Sequence, residues 1–183
     1  MKFYDITSPI KSSNIKKKDN IFLLAGEHPR EMISSETMLG FIKFLCEKKD
    51  SSAAKKLLES NNFRIFVNAN PAGRMQVEKG NYCKRTNGSD VDINRNWDYF
   101  FGKDITMSEE NSGLSAFSEI ETKFIHDAIK DFSAKLFLTL HSGTLALFHP
   151  YAYLFEEGIF LFSSFLIFFY FDYYLDCSFF KIA

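Results

Sequence analysis

Ala25-Gly26-Glu27-His28-Pro29-Arg30-Glu31 is the stretch on which the reading of the fold turns. It follows the apolar run Ile21-Phe22-Leu23-Leu24 and precedes a helical pattern through Met32, Thr37, Met38, Phe41, Ile42 and Leu45. A short apolar run that passes into such a pattern marks a strand-to-helix turn, and side chains converge at the carboxyl ends of such strands. The spacing predicts a buried strand over 21–25 and an amphipathic helix over 34–48. Outward from there, 51–59 reads as a second short helix and 63–67 as the next strand, closed by the turn chemistry of Asn68-Ala69-Asn70-Pro71-Ala72-Gly73. A helix follows over 118–131, with Ser118 as N-cap and Glu121 closing a capping box. A strand over 134–140 then runs into His141. Residues 2–6 suit a short edge strand, and Lys16-Lys17-Lys18-Asp19 suits a solvated hairpin loop in the polar connection over 8–20. This alternation defines an α/β class with a mixed, largely parallel sheet flanked by helices.

Between these elements, 74–113 carries little periodicity. Roughly 40 residues without regular pattern are uncommon in a compact domain and are usually functional or disordered. Arg85, Asp92, Asn94, Arg95 and Trp97 all lie here, which favours function. With 183 residues there is room for one domain with a real core, or for most of a larger one. With a net charge of −1, nothing in the bulk electrostatics suggests a polyanion partner, and no nucleic acid is expected. Cys46, Cys83 and Cys177 are odd in number and scattered, which predicts isolated packing thiols without a disulfide framework. Residues 1–20 show no signal peptide, which makes the cytoplasm the default compartment. Oligomeric state is not legible.

His28 and Glu31 sit three apart, close enough to hold one cation from a single turn. Imidazole nitrogen and carboxylate oxygen both suit zinc, and a catalytic zinc takes three protein ligands plus water. The best placed third ligand is His141, at the end of Leu136-Phe137-Leu138-Thr139-Leu140. Taken alone, either histidine is as readily an ordinary polar residue at a strand end, and Arg95 a salt-bridging loop residue. His126 in mid-helix and His149 stay outside the metal set, and Trp97 reads as packing.

Six stretches in sequence order resemble the zinc metallocarboxypeptidases of the carboxypeptidase A/B type. His28-Pro29-Arg30-Glu31 matches their HxxE zinc motif, Asn70-Pro71-Ala72-Gly73 their NPDG turn, and Val91-Asp92-Ile93-Asn94-Arg95-Asn96-Trp97 their VDxNRNW signature. Phe117-Ser118-Glu119-Ile120-Glu121-Thr122 is similar to the FSEPET helix start, Leu140-His141-Ser142 to the third-ligand strand end, and His149-Pro150-Tyr151-Ala152-Tyr153 to the YPYGY-like stretch beyond it. The resemblance implies one zinc ion per chain, held by His28, Glu31 and His141, and a peptide or protein C-terminus as substrate. It implies that Arg85 stabilises the developing oxyanion, that Asn94 and Arg95 grip the terminal carboxylate, and that Arg30 lines the peptide groove. A guanidinium suits that grip because its paired donors match a carboxylate. Asp92 would accept the free N–H of the first zinc histidine and fix its tautomer.

The resemblance breaks after residue 153. The family's general-base glutamate lies further beyond the third ligand than the 42 residues that follow His141 here, and Glu156 and Glu157 come too early for the role. A chain without that base is expected to be crippled as a peptidase; the alternative is an inactive zinc-binding pseudoenzyme or fragment that binds peptide C-termini. A zinc amidohydrolase acting on small acyl-amino acids would share the ligands but not the use of the NRNW loop. The expected division is a partial catalytic domain over 1–154 and an aromatic-rich tail over 155–183, whose composition suits translated A/T-rich noncoding sequence. Its longest uncharged apolar span, 159–171, is about 13 residues against the ~20 that cross a bilayer, so membrane contact is disfavoured.

Overall fold

The computed structural model describes residues 1–8, 17–99, 101–102 and 111–143, and the backbone alone of 147–148 and 166–171. The expectations placed on Lys16, Cys177, Glu156, Glu157, the 149–153 stretch and most of the tail lie outside the described residues. One mixed sheet organises the chain, in the order β1-β3-β2-β4-β6-β5. Its strands are β1 (Tyr4–Ile6), β2 (Asp19–Ala25), β3 (Asn61–Phe66), β4 (Leu136–Ser142), β5 (Leu147–Phe148) and β6 (Leu166–Phe171). β2 runs parallel to both β3 and β4, and β4 parallel to β6, while β1 and β5 pair antiparallel at the two edges. The helices are α1 (Met32–Glu47), α2 (Ser52–Ser60), α3 (Pro71–Glu78) and α4 (Ile120–Phe132). Among the described residues no helix is long and apolar enough to cross a membrane.

Alternation along the strands assigns the two faces of the sheet. Leu23, Ala25, Phe63, Ile65 and Leu140 point to one side, where Met38 and Leu45 of α1 and Leu58 of α2 cover them. Phe22, Leu24 and Phe66 point to the other, against Ile125 and Ala128 of α4 and Ile93 of the long loop. β4 follows the same rule, so Phe137, Thr139 and His141 share the α4 side. Arg64 also sits on that side, only 8% exposed. Its guanidinium holds Asp5 of β1 by two bonds of 2.8 and 2.7 Å and Asp131 of α4 at 2.8 Å. The rings of Phe3 and Phe132 lie 4.4 and 4.7 Å from it. A buried cation is tolerated because it is paired and its donors are used.

Four expectations are corrected. β1 does not form a hairpin with β2; it pairs with the far edge of β3, and Lys18 donates to the carbonyls of Ser8 and Leu58 in place of standing free in a loop. Asn68 to Gly73 is not a closed turn, because Asn70 caps α3: its Oδ1 accepts from Gly73 N at 2.9 Å, and Pro71 occupies the first helical position, where a missing N–H costs nothing. α4 begins at Ile120 with Glu119 as N-cap and no capping box. Ser118 Oγ and the Glu121 carboxylate instead take bonds from Asn96 and Asn87, which outcompete the local cap. Finally, Cys83 is disulfide-bonded, while Cys46 is free. Spacing along a chain does not report which sulfurs folding brings together.

Candidate metal centre

Parallel pairing of β2 and β4 in the register Ala25↔Leu140 puts the carboxyl ends of both strands at one edge. The chain leaves β2 toward β3 on one side, and β4 lies on the other. This is the switch point at which open α/β sheets place their ligands. Residues just after Ala25 and Leu140 therefore meet in space, although more than a hundred positions separate them. Gly26 makes the turn at φ +72°, where any side chain would press on Ser35 Oγ and the Asn68 backbone. Gly73 is constrained by proximity: a Cβ there would come within 2.7 Å of Asn70 Oδ1, Pro29 Cγ and Thr86 O.

The structure brings His28, Glu31 and His141 together, all buried. His28 Nδ1 lies 2.7 Å from Glu31 Oε1, His141 Nδ1 2.9 Å from Glu31 Oε2, and the two Nδ1 atoms 3.1 Å from each other. Glu31 stands at the N-cap of α1 but makes no side-chain capping bond, because its carboxylate is turned to the two rings. Ser34 Oγ donates to the Glu31 carbonyl at 2.7 Å. Ser142 N–H donates to Glu31 Oε2 at 3.1 Å.

Asp92 and Arg85 reach the same centre from the long loop. Asp92 is fully buried, and its Oδ1 lies 3.1 Å from His28 Nε2 while accepting from Asn94 N at 2.9 Å. Its Oδ2 accepts from Arg85 Nε at 2.9 Å. Arg85 Nη1 then stands 3.5 Å from His28 Nδ1 and 4.0 Å from Glu31 Oε1. Asn94 and Arg95 follow directly in this turn, half-buried, with Arg95 N–H on the Asp92 carbonyl. Arg30 is drawn to the 81–84 segment, donating from Nη1 to the Cys83 carbonyl at 3.0 Å.

Burial pushes the Glu31 carboxyl up, but the charges and hydrogen bonds of His28 and His141 outweigh it and hold the group well below the usual carboxylate range. The same contest leaves Asp92 low, through His28 and the charges of Arg85 and Arg95. Burial would lower His141, yet hydrogen bonding to Glu27 and Glu31 raises it to about 9. Counted with both rings neutral, the centre sets the carboxylates of Glu27, Glu31 and Asp92 against the guanidiniums of Arg85 and Arg95, an excess of negative charge. Two imidazoles whose Nε2 atoms face carboxylates must also turn their Nδ1 lone pairs toward each other, an arrangement that a cation between them relieves. Zinc bonds of about 2.0–2.1 Å keep tetrahedral donors ~3.3 Å apart. The observed separations of 2.7, 2.9 and 3.1 Å are shorter than that by ~0.2 to ~0.6 Å, so the three donors need to spread only slightly to hold a zinc ion.

Some residues around the centre carry no periodic signal. Asn96, fully buried, donates to Ser112 O, Ser115 O and Ser118 Oγ and accepts from Glu119 N and Thr122 Oγ1. Asn87 Oδ1 accepts from Ser89 N and Val91 N, and its Nδ2 donates to Glu119 and Glu121. These two amides shape the loop that presents Asp92. Glu27, which abuts the motif without matching it, is 2% exposed and faces His141. The one available hint was a carboxylate at the end of an otherwise apolar strand.

The family model described as "Zinc carboxypeptidase" matches residues 1–159. Carboxypeptidase A1 of Bos taurus is 33% identical over 147 residues, which cover 73% of this chain and 35% of that protein. Zinc carboxypeptidase A 1 of Drosophila melanogaster is 31% identical over 160 residues, 81% of this chain and 37% of its own length. The chain thus spans about a third of the curated relatives it matches. Among solved structures, the carboxypeptidase A of Helicoverpa armigera superposes with a TM-score of 0.66 at 26% identity, over 73% of this chain and 36% of that one. Thrombin-activatable fibrinolysis inhibitor superposes at 0.75 and 21% identity, over 83% and 41%, which speaks for the fold. With its sheet, its convergent donors and its sequence agreeing over most of its length, this chain belongs to the zinc carboxypeptidase family.

Proposed function

We propose that the chain carries the zinc-binding half of a metallocarboxypeptidase site, for hydrolysis at the C-terminus of peptides or proteins. The observation that carries this reading is the convergence of His28 Nδ1, His141 Nδ1 and the Glu31 carboxylate beside the Arg85 guanidinium. A zinc ion held by these three residues would polarise a scissile carbonyl and bring the pKa of a bound water to about 7. Asp92 keeps the proton of His28 on Nε2, and through Arg85 Nε it fixes the guanidinium against the same ring. Arg85 so held is oriented to stabilise an oxyanion; loss of one such donor typically costs about 3 kcal/mol of barrier. Asn94 and Arg95 grip the terminal carboxylate and Arg30 contributes along the peptide groove. Residues 1–154 form the partial catalytic domain in this reading; the expected separation of 155–183 from it does not extend to β6, which pairs with β4 in the same sheet.

A second reading, zinc-dependent capture of peptide C-termini without turnover, is favoured by one observation. Among the described residues the carboxylates at the centre, Glu27, Glu31 and Asp92, are each engaged by hydrogen bonds and buried, so none is free to take a proton from water. The discriminating experiment measures hydrolysis of an N-blocked dipeptide by the zinc-loaded chain. Turnover that a chelator abolishes and zinc restores supports the peptidase. Stoichiometric zinc without turnover supports the binder, and failure to bind zinc overturns both.

A further inference from the structure

The reading above leaves Glu27 without a task, and a buried carboxylate without a task is costly. Glu27 closes the turn from β2, directly before His28. Its Oε2 lies 3.1 Å from His141 Nε2 and accepts a hydrogen bond from Thr139 Oγ1. Thr139 stands two residues before His141, on the same face of β4, and its hydroxyl is 3.2 Å from the same Nε2. The main chain is secured as well, since Asn70 Nδ2 donates to the Glu27 carbonyl at 3.0 Å. On the other ring, His28 Nε2 meets Asp92 Oδ1 at the same 3.1 Å. Both imidazoles therefore face a carboxylate with Nε2 and the common centre with Nδ1.

We infer that Glu27 is the positioning residue of His141, the counterpart of Asp92 on His28, and that it acts by holding the proton on Nε2 so that the Nδ1 lone pair points at the metal. The inference rests on the zinc reading of His28, Glu31 and His141. A carboxylate in this place fixes the ring about its χ2 axis and raises its basicity as a ligand, which a neutral acceptor does less well. Thr139 orients the carboxylate in turn, so that its free lone pair faces the ring.

The test compares zinc affinity of the full chain, by competition with a chromophoric chelator, for wild type, Glu27→Gln, Glu27→Ala, Thr139→Val and His141→Ala. Visible spectra of the cobalt(II)-loaded proteins and the melting temperature of the metal-free forms are recorded alongside. Glu27→Ala is expected to weaken zinc binding about 10- to 100-fold, and Glu27→Gln, which preserves shape and hydrogen-bonding positions, by about tenfold. Thr139→Val leaves the carboxylate in place and should weaken binding a few-fold, so the inference stays testable if Glu27→Ala does not fold. The cobalt spectrum should shift in the Glu27 variants, because the field at the ion changes with the orientation of His141. Wild-type affinity and an unchanged spectrum in Glu27→Gln, with only the melting temperature reduced, would overturn the inference and mark Glu27 as a packing group. Stoichiometric zinc in His141→Ala would instead overturn the metal reading itself.

Discussion

The two halves of the centre are built by different physics. His28, Glu31 and His141 come from the ends of β2 and β4, whose positions follow from apolar alternation and a parallel register. Asp92 and Arg85 come from a segment with no repeating pattern, held by the buried amides of Asn87 and Asn96. In the first region burial of apolar area supplies the stabilisation, about 25 cal/mol per Å² and without direction. In the second, hydrogen bonds worth about 1 kcal/mol each supply direction but little surplus. The centre thus combines a rigid base that carries His28, Glu31 and His141 with a separately held loop that carries Asp92 and Arg85.

The comparison breaks most completely at a donor. His28→Ala or His141→Ala should abolish stoichiometric zinc, read by metal analysis after desalting; unchanged metal content would dismiss the centre. Next in size is Phe22→Ala in the strand region. Phe22 is fully buried, with its ring 5.2 Å from Phe66 and 5.7 Å from Phe137. Its loss should cost about 3–5 kcal/mol of global stability in a denaturant titration. Asn96→Ala strands the carbonyls and N–H it serves and should cost about 2–3 kcal/mol. Its hydrogen-exchange signature should be local, with faster exchange over 111–119 and protection kept in β2 and β4. Equal loss in both regions would erase the distinction between frame and arm.

Smaller effects sharpen it. Asp92→Asn leaves the three donors in place and should lower zinc affinity by roughly 10–100-fold, measured by chelator competition. Smallest is Ser51→Ala, far from the centre, where Ser51 Oγ caps α2 by accepting from Ala54 N at 3.3 Å. It should reduce stability by about 1 kcal/mol with no change in zinc affinity.

The strand region was legible from sequence to within a few residues. Ile21 to Ala25 and Leu136 to His141 are apolar runs with polar residues at their ends, and such runs have few alternatives to a buried parallel strand. The meeting of His28, Glu31 and His141 was legible for a related reason: all three follow the ends of apolar runs that fold into neighbouring parallel strands. The start of α3 was not legible, because Asn, Pro and Gly begin helices and turns alike, and only the contacts of Asn70 and Gly73 decide between the two.

The amino-acid sequence by itself determined the α/β alternation, the strand-end positions of the donors and the resemblance to zinc carboxypeptidases, since these depend on local period and residue chemistry. Tertiary structure alone decided that β1 lies across β3 from β2, that Glu27 faces His141, and that Asn87 and Asn96 carry the loop. The physical reason is range. Periodicity is written in neighbours along the chain, whereas a buried polar group is satisfied by whatever partner folding delivers, from any distance in sequence.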